Sequence, residues 1–127
     1  MTAQTPAGVL DGLALRCEAA TGADRDTDWR IQKALGIGNW PDVEMWPPFC
    51  VGSRADKEIP RYTASLDAAM TLVPEGWHTK LALEDRHSHS WRWDLRGGFG
   101  FDAGARAATP ALALTAAALR ARAQAPQ

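Results

Sequence analysis

The sequence predicts an α+β fold, a small antiparallel three-stranded sheet sandwiched by helices in α-β-α layers. Three observations predict it. Apolar residues recur at helical spacing near both ends of the chain. Two stretches between Trp77 and Arg96 alternate apolar and polar with a period of two. A Gly-Gly pair then offers a further reversal, leaving Phe99 and Phe101 to alternate on a short third strand.

The first helix is expected over residues 7–20, where Leu10, Leu13, Ala14 and Cys17 share a face and Asp11, Arg16 and Glu18 face water. Thr21 followed by Asp24 resembles a capping box, and a second helix runs from about Ala23 to Leu35 with Thr27, Ile31, Ala34 and Leu35 as its stripe. Gly36 is a natural left-handed terminator. Asp24, Asp26 and Asp28 gather at the start of this helix, where the helix dipole favours acids; capping is the preferred reading over a metal site. Thr63 or Ser65 can cap a third helix whose apolar face is Leu66, Ala69, Met70 and Val73, stopped by Pro74-Glu75-Gly76.

On the first strand the alternation puts Trp77, Thr79, Leu81 and Leu83 on one face, with His78, Lys80 and Glu84 on the other. On the second it puts Trp91, Trp93 and Leu95 inward and Arg92, Asp94 and Arg96 outward, with a polar loop over residues 84–90 between the strands. Thr109 and Pro110 open the last helix, since proline has no amide needing a partner there. Leu112, Ala116, Leu119 and Ala123 give it a smooth face that could also pack on a sister chain as a homodimer. Arg120 and Arg122 offset its negative end.

Composition bounds the function. With 127 residues the chain is read as one domain, made of a helical pair at 7–35, an irregular segment at 36–61 and a helix-sheet-helix unit at 62–123. Apolar residues make up 46% and charged residues 23%, a globular balance, so the chain can fold without staples. The net charge of −1 gives no global field for nucleic acid or an anionic membrane. No apolar run reaches the ~20 residues of a membrane span, and residues 1–8 lack a signal-peptide layout, so a cytoplasmic protein is expected. Cys17 and Cys50 share no metal or redox spacing, and no cofactor is implied.

The segment at 36–61 is broken by Pro41, Pro47, Pro48 and Pro60, yet holds Trp40, Trp46 and Phe49. A long loop of such apolar content packs over the domain or meets a partner. Trp40, Trp46 and Phe49, with Arg54, Arg61, Arg92 and Arg96, are therefore the candidate binding residues, for a protein partner or for a nucleotide stacked between tryptophan and arginine. His87 and His89, beside Glu84 and Asp85, are a weak metal candidate on a hairpin tip, since a zinc site usually takes three or four protein ligands. Gly97-Gly98-Phe99-Gly100 lacks the lysine of a phosphate loop and reads as a turn.

The runs Tyr62 to Ala69, "LVPEGW" at 72–77 and "ATPALALTAAALRARA" at 108–123 resemble the phage ABA sandwich domain, a family of small phage and prophage proteins. The stretch "LALRCEAATGADRD" at 13–26 is similar to the lead-in of many members, and only the part from Trp40 to Arg61 has no counterpart. The resemblance implies a helix, a short antiparallel sheet and a closing helix, in an accessory protein rather than a part of the virion. It carries over no functional residue. The leading expectation is a non-enzymatic binding module acting on a host defence factor. A nucleotide-sequestering protein comes second and a metal-dependent hydrolase through His87 or His89 last.

Overall fold

The computed structural model describes residues 7–36 and 58–124. Along these the elements are α1 (Ala7–Ala19), α2 (Arg25–Ala34), α3 (Leu66–Met70), β1 (His78–Asp85), β2 (Ser90–Arg96), β3 (Asp102–Ala107) and α4 (Pro110–Gln124). The strands form one antiparallel sheet in the order β1-β2-β3, with helices packed against it. The expected α+β class is thus the observed one.

The core is organised around α4. Every residue from Ala111 to Leu119 is buried, as is Ala121. A helix apolar on all sides must be covered on all sides. One flank of α4 meets the inner face of β2 and β3, and others meet α1 and α3. Among the described residues α4 lies against the sheet, α1 touches both α4 and β3, and α3 packs on α4. Its alanines and those of β3 (Ala103, Ala105 and Ala107) let the layers approach closely, while Leu95, Trp91 and Trp93 supply bulk between them. The smooth α4 surface is spent inside the chain and is not free for a sister helix.

The helix caps follow the sequence in part. Thr109 Oγ1 accepts the Leu112 amide at 3.2 Å, as a cap ahead of Pro110 should. Asp24 rather than Thr21 caps α2, its carboxylate accepting the Asp26 amide at 3.1 Å and the Thr27 hydroxyl at 2.7 Å. Gly36 is left-handed (φ 72°). Ser65 caps α3 through the Ala68 amide, and Thr63 does something else. The α3 helix has only five residues and buries Ala69, with Leu72 buried just beyond it; Leu66 and Met70, expected inside, are exposed. On α2 the buried set includes Asp28, Trp29 and Gln32, which the apolar stripe did not contain.

Among the described residues Asp28 is the deepest charge. Its Oδ1 accepts both the amide and the hydroxyl of Thr63 at 2.9 Å, and its Oδ2 accepts Arg25 Nη1 at 2.9 Å. Arg25 also donates to the carbonyls of Ile59 and Pro60. Tyr62 donates to Gln32 on α2 at 2.6 Å, and its own carbonyl accepts Thr115 of α4 at 2.8 Å. This network ties α2 to residues 59–63, and these to α4. Burial raises the Asp28 carboxyl above its ordinary range, and the Thr63 and Arg25 bonds pull part of that shift back.

A second clasp holds the edge of the sheet. Glu18 on α1 forms a two-pronged ion pair with Arg120 on α4 and accepts the Arg106 amide on β3 at 3.2 Å. Arg120 reaches on to the Gly104 carbonyl at 2.9 Å, and Gln124 donates to the Asp102 carbonyl at 2.9 Å. The free edge of β3 is thereby closed by side chains. Arg122, expected only to offset the helix end, donates to the Leu72 carbonyl at 2.6 Å. Cys17 is a buried free thiol whose pKa burial pushes up to about 12, so it behaves as a small hydrophobe.

Two features of the sheet depart from simple alternation. Residues Gly98–Gly100 form a 3-10 turn, so the third strand is Asp102–Ala107 and not the Phe99–Phe101 stretch; Phe101 is 45% exposed. The other departure is a bulge in β1 between Thr79 and Leu81. Trp77 keeps its inward place, with its ring pressed on Gly97; a Cβ there would lie 2.5 Å from Trp77 Cε2.

Replacing Asp28 with Ala should cost about 3–5 kcal/mol in urea unfolding, because Arg25 and the Thr63 amide lose a buried partner; that is a large share of the roughly 5–15 kcal/mol of a typical domain. A change below about 1 kcal/mol would mean that the network is dispensable. The Arg120 bond lowers the Glu18 pKa from its ordinary 4.5, so Glu18 adds stability above that value and loses it as pH falls through the lower folded value. Thermal melts taken down the acid limb should therefore fall less steeply for Glu18→Gln than for the unaltered chain.

Candidate functional site

Opposite residues of an antiparallel pair share a face, so the register shows where each side chain lies. Thr79 faces Leu95, Ala82 faces Trp93 and Glu84 faces Trp91, all on the inner side. Leu81 instead sits opposite Asp94, and Leu83 opposite Arg92. One extra residue, Lys80, reverses the alternation beyond it, as a bulge must. Leu81 and Leu83 are turned outward, 39% and 52% exposed, where the period-two reading placed them inside.

They join a charged surface. Across β2 and β3 the outward positions pair Arg92 with Arg106, Asp94 with Gly104, and Arg96 with Asp102. Arg92 Nε lies 3.2 Å from Asp94 Oδ2, Arg106 Nη1 lies 3.0 Å from Asp85 Oδ2, and Lys80 Nζ lies 3.7 Å from Asp102 Oδ2. Two arginines directly opposite one another repel, and the flanking aspartates offset that cost. Lys80, Arg92, Asp94, Asp102, Gly104 and Arg106 line a shallow hollow of about 460 Å³. Gly104 forms its floor: a Cβ at that position would lie 2.3 Å from Asp94 Oδ1.

Of the candidates named from sequence, Trp40, Trp46, Phe49 and Arg54 lie outside the described residues. Arg92 and Arg96 share the outer face, about 13 Å apart along β2 at the usual rise of a strand. Arg61 is exposed on the segment that α2 and α4 hold, on the helix side of the sheet, and does not join them. Trp77, Trp91 and Trp93 are half-buried and pack against the core. His87 and His89 are exposed on the β1-β2 turn, with His89 left-handed (φ 51°). Asp85, the carboxylate beside them, is held below the usual carboxylate range first by the Ser88 hydroxyl and amide and then by the His87 amide and Arg106. Among the described residues no group of three or more His, Cys, Asp or Glu could hold a metal ion, and no helix is long and apolar enough to cross a membrane.

The alternation placed Lys80 and Asp94 outward, but it gave no sign that Leu81, Leu83, Asp102 and Arg106 share that surface. The one available signal was Lys80 itself, a charge between Thr79 and Leu81, and it fits an unbroken strand equally well. No protein-family model, curated protein or solved structure matches the chain.

The ion pairs of this face are exposed, so they should contribute little to stability. Lys80→Ala and Arg92→Ala should each shift the unfolding free energy by less than about 0.5 kcal/mol, measured by urea titration. A loss above about 2 kcal/mol for either would place that residue in the fold rather than in a surface.

Proposed function

We propose that this chain is a non-enzymatic binding module that docks a protein partner on the outer face of its sheet. The observation that supports this reading is the pair of leucines turned out by the Lys80 bulge. Exposed apolar side chains ringed by charge are the composition of an interface core and its rim. Lys80, Arg92, Arg96 and Arg106 outnumber Asp85, Asp94 and Asp102 on this side, which fits a partner surface with an apolar centre and carboxylates around it. Charges at the rim would steer the encounter, while the leucines supply the desolvated contact.

The proposal extends to a phage or prophage accessory protein acting on a host defence factor, on the strength of the resemblance in residues 62–77 and 108–123. Arg92→Glu and Arg96→Glu reverse charge on the outer face without touching the core. Affinity capture from the host should recover a protein with the unaltered chain and with Arg61→Glu, and lose it with both sheet-face variants. Capture that survives both sheet-face reversals would remove the outer face as the docking surface.

A further inference from the structure

Independently of any partner, we propose that β1 pairs with β1 of a second copy of this chain, two-fold about Leu83, to make a continuous six-stranded sheet. The β3 edge cannot accept a strand: its outward Asp102 and Gly104 carbonyls and Arg106 amide are taken by Gln124, Arg120 and Glu18. These bonds also set the phase of the whole sheet. Because residues 102, 104 and 106 turn their polar backbone away from β2, Arg92, Asp94 and Arg96 turn theirs toward β1. Their partners Leu83 and Leu81 are then bonded to β2, and Ala82 and Glu84 point their amides and carbonyls out of the sheet. Among the described residues nothing pairs with that edge, and β1 is exposed along nearly its whole length.

The edge is complementary to itself. In antiparallel register about Leu83, Ala82 of each copy meets Glu84 of the other, and their outward amides and carbonyls close four bonds. Leu83 meets its own counterpart on the axis, in the close kind of pair, and buries the more exposed of the two leucines. Leu81 of each copy falls opposite Asp85 of the other, while Lys80 and Asp85 keep their ion pairs with Asp102 and Arg106 inside each copy. The bulge ends the pairing at Lys80. With the β3 edge closed, two copies complete the assembly and no open fibre can grow. The two outer faces then form one surface.

Three variants test this. Sedimentation velocity of the unaltered chain should show a dimer that dissociates on dilution. Ala82→Pro removes an outward amide while leaving the bonds to β2, so it should sediment as a monomer. In a Cys50→Ser background, Leu83→Cys should oxidise to a covalent dimer, because close antiparallel pairs sit about 4.5 Å apart, within disulfide range. Leu81→Cys in the same background should not, since its counterpart lies four residues along the strand. A chain that is monomeric at every concentration, a dimeric Ala82→Pro, or equal cross-linking at 81 and 83 would each overturn the proposal.

Discussion

Everything in this fold answers to one constraint: α4 has no polar side over residues 111–119 and must be surrounded. A sheet can cover one flank only, so further elements have to cover the others. α1 does so with Leu10, Leu13, Ala14 and Cys17, and the segment around Ala69 and Leu72 does so beside it. The polar contacts then act as locks on a stack the apolar surfaces have already specified. Glu18 and Arg120 lock α1 across α4 to β3, and Thr115 locks Tyr62 and, through it, α2.

That constraint also decides which side of the sheet the described helices leave uncovered. The inner face is committed to α4 through small residues of β3 and the tryptophans of β2. The outer face has to satisfy only itself, and it does so with exposed charge pairs that hold Arg92 and Arg106 apart. Leu81 and Leu83 stand exposed there, on a strand that is exposed along nearly its whole length.

Much of the architecture was legible in the chain. The stripe of α1, the Gly36 terminator, the Thr109-Pro110 start and the inward Trp91, Trp93 and Leu95 follow from periodicity and capping chemistry, which are local. What failed was set by tertiary contact. Asp28 reads as one acid in a solvated first turn, and only Thr63, far along the chain, makes it a buried anchor. β3 reads Asp-Ala-Gly-Ala-Arg-Ala, without the β-branched residues that announce a strand, and its inward positions are alanines because α4 lies close against them. The outer site was hidden by a single bulge, which period-two reading cannot detect, since each side of it alternates correctly by itself.

The apolar centre of the outer face depends on that bulge, so the most direct test asks which way two leucines point. Methyl NMR with a soluble paramagnetic chelate, under dilute conditions, reads it residue by residue. The expected result is strong broadening of the Leu81 and Leu83 methyls, with those of Leu95, Leu112 and Leu114 untouched. Leu81 and Leu83 methyls as protected as Leu95 would mean an unbroken strand with its leucines inside, and the outer face would lose its apolar centre.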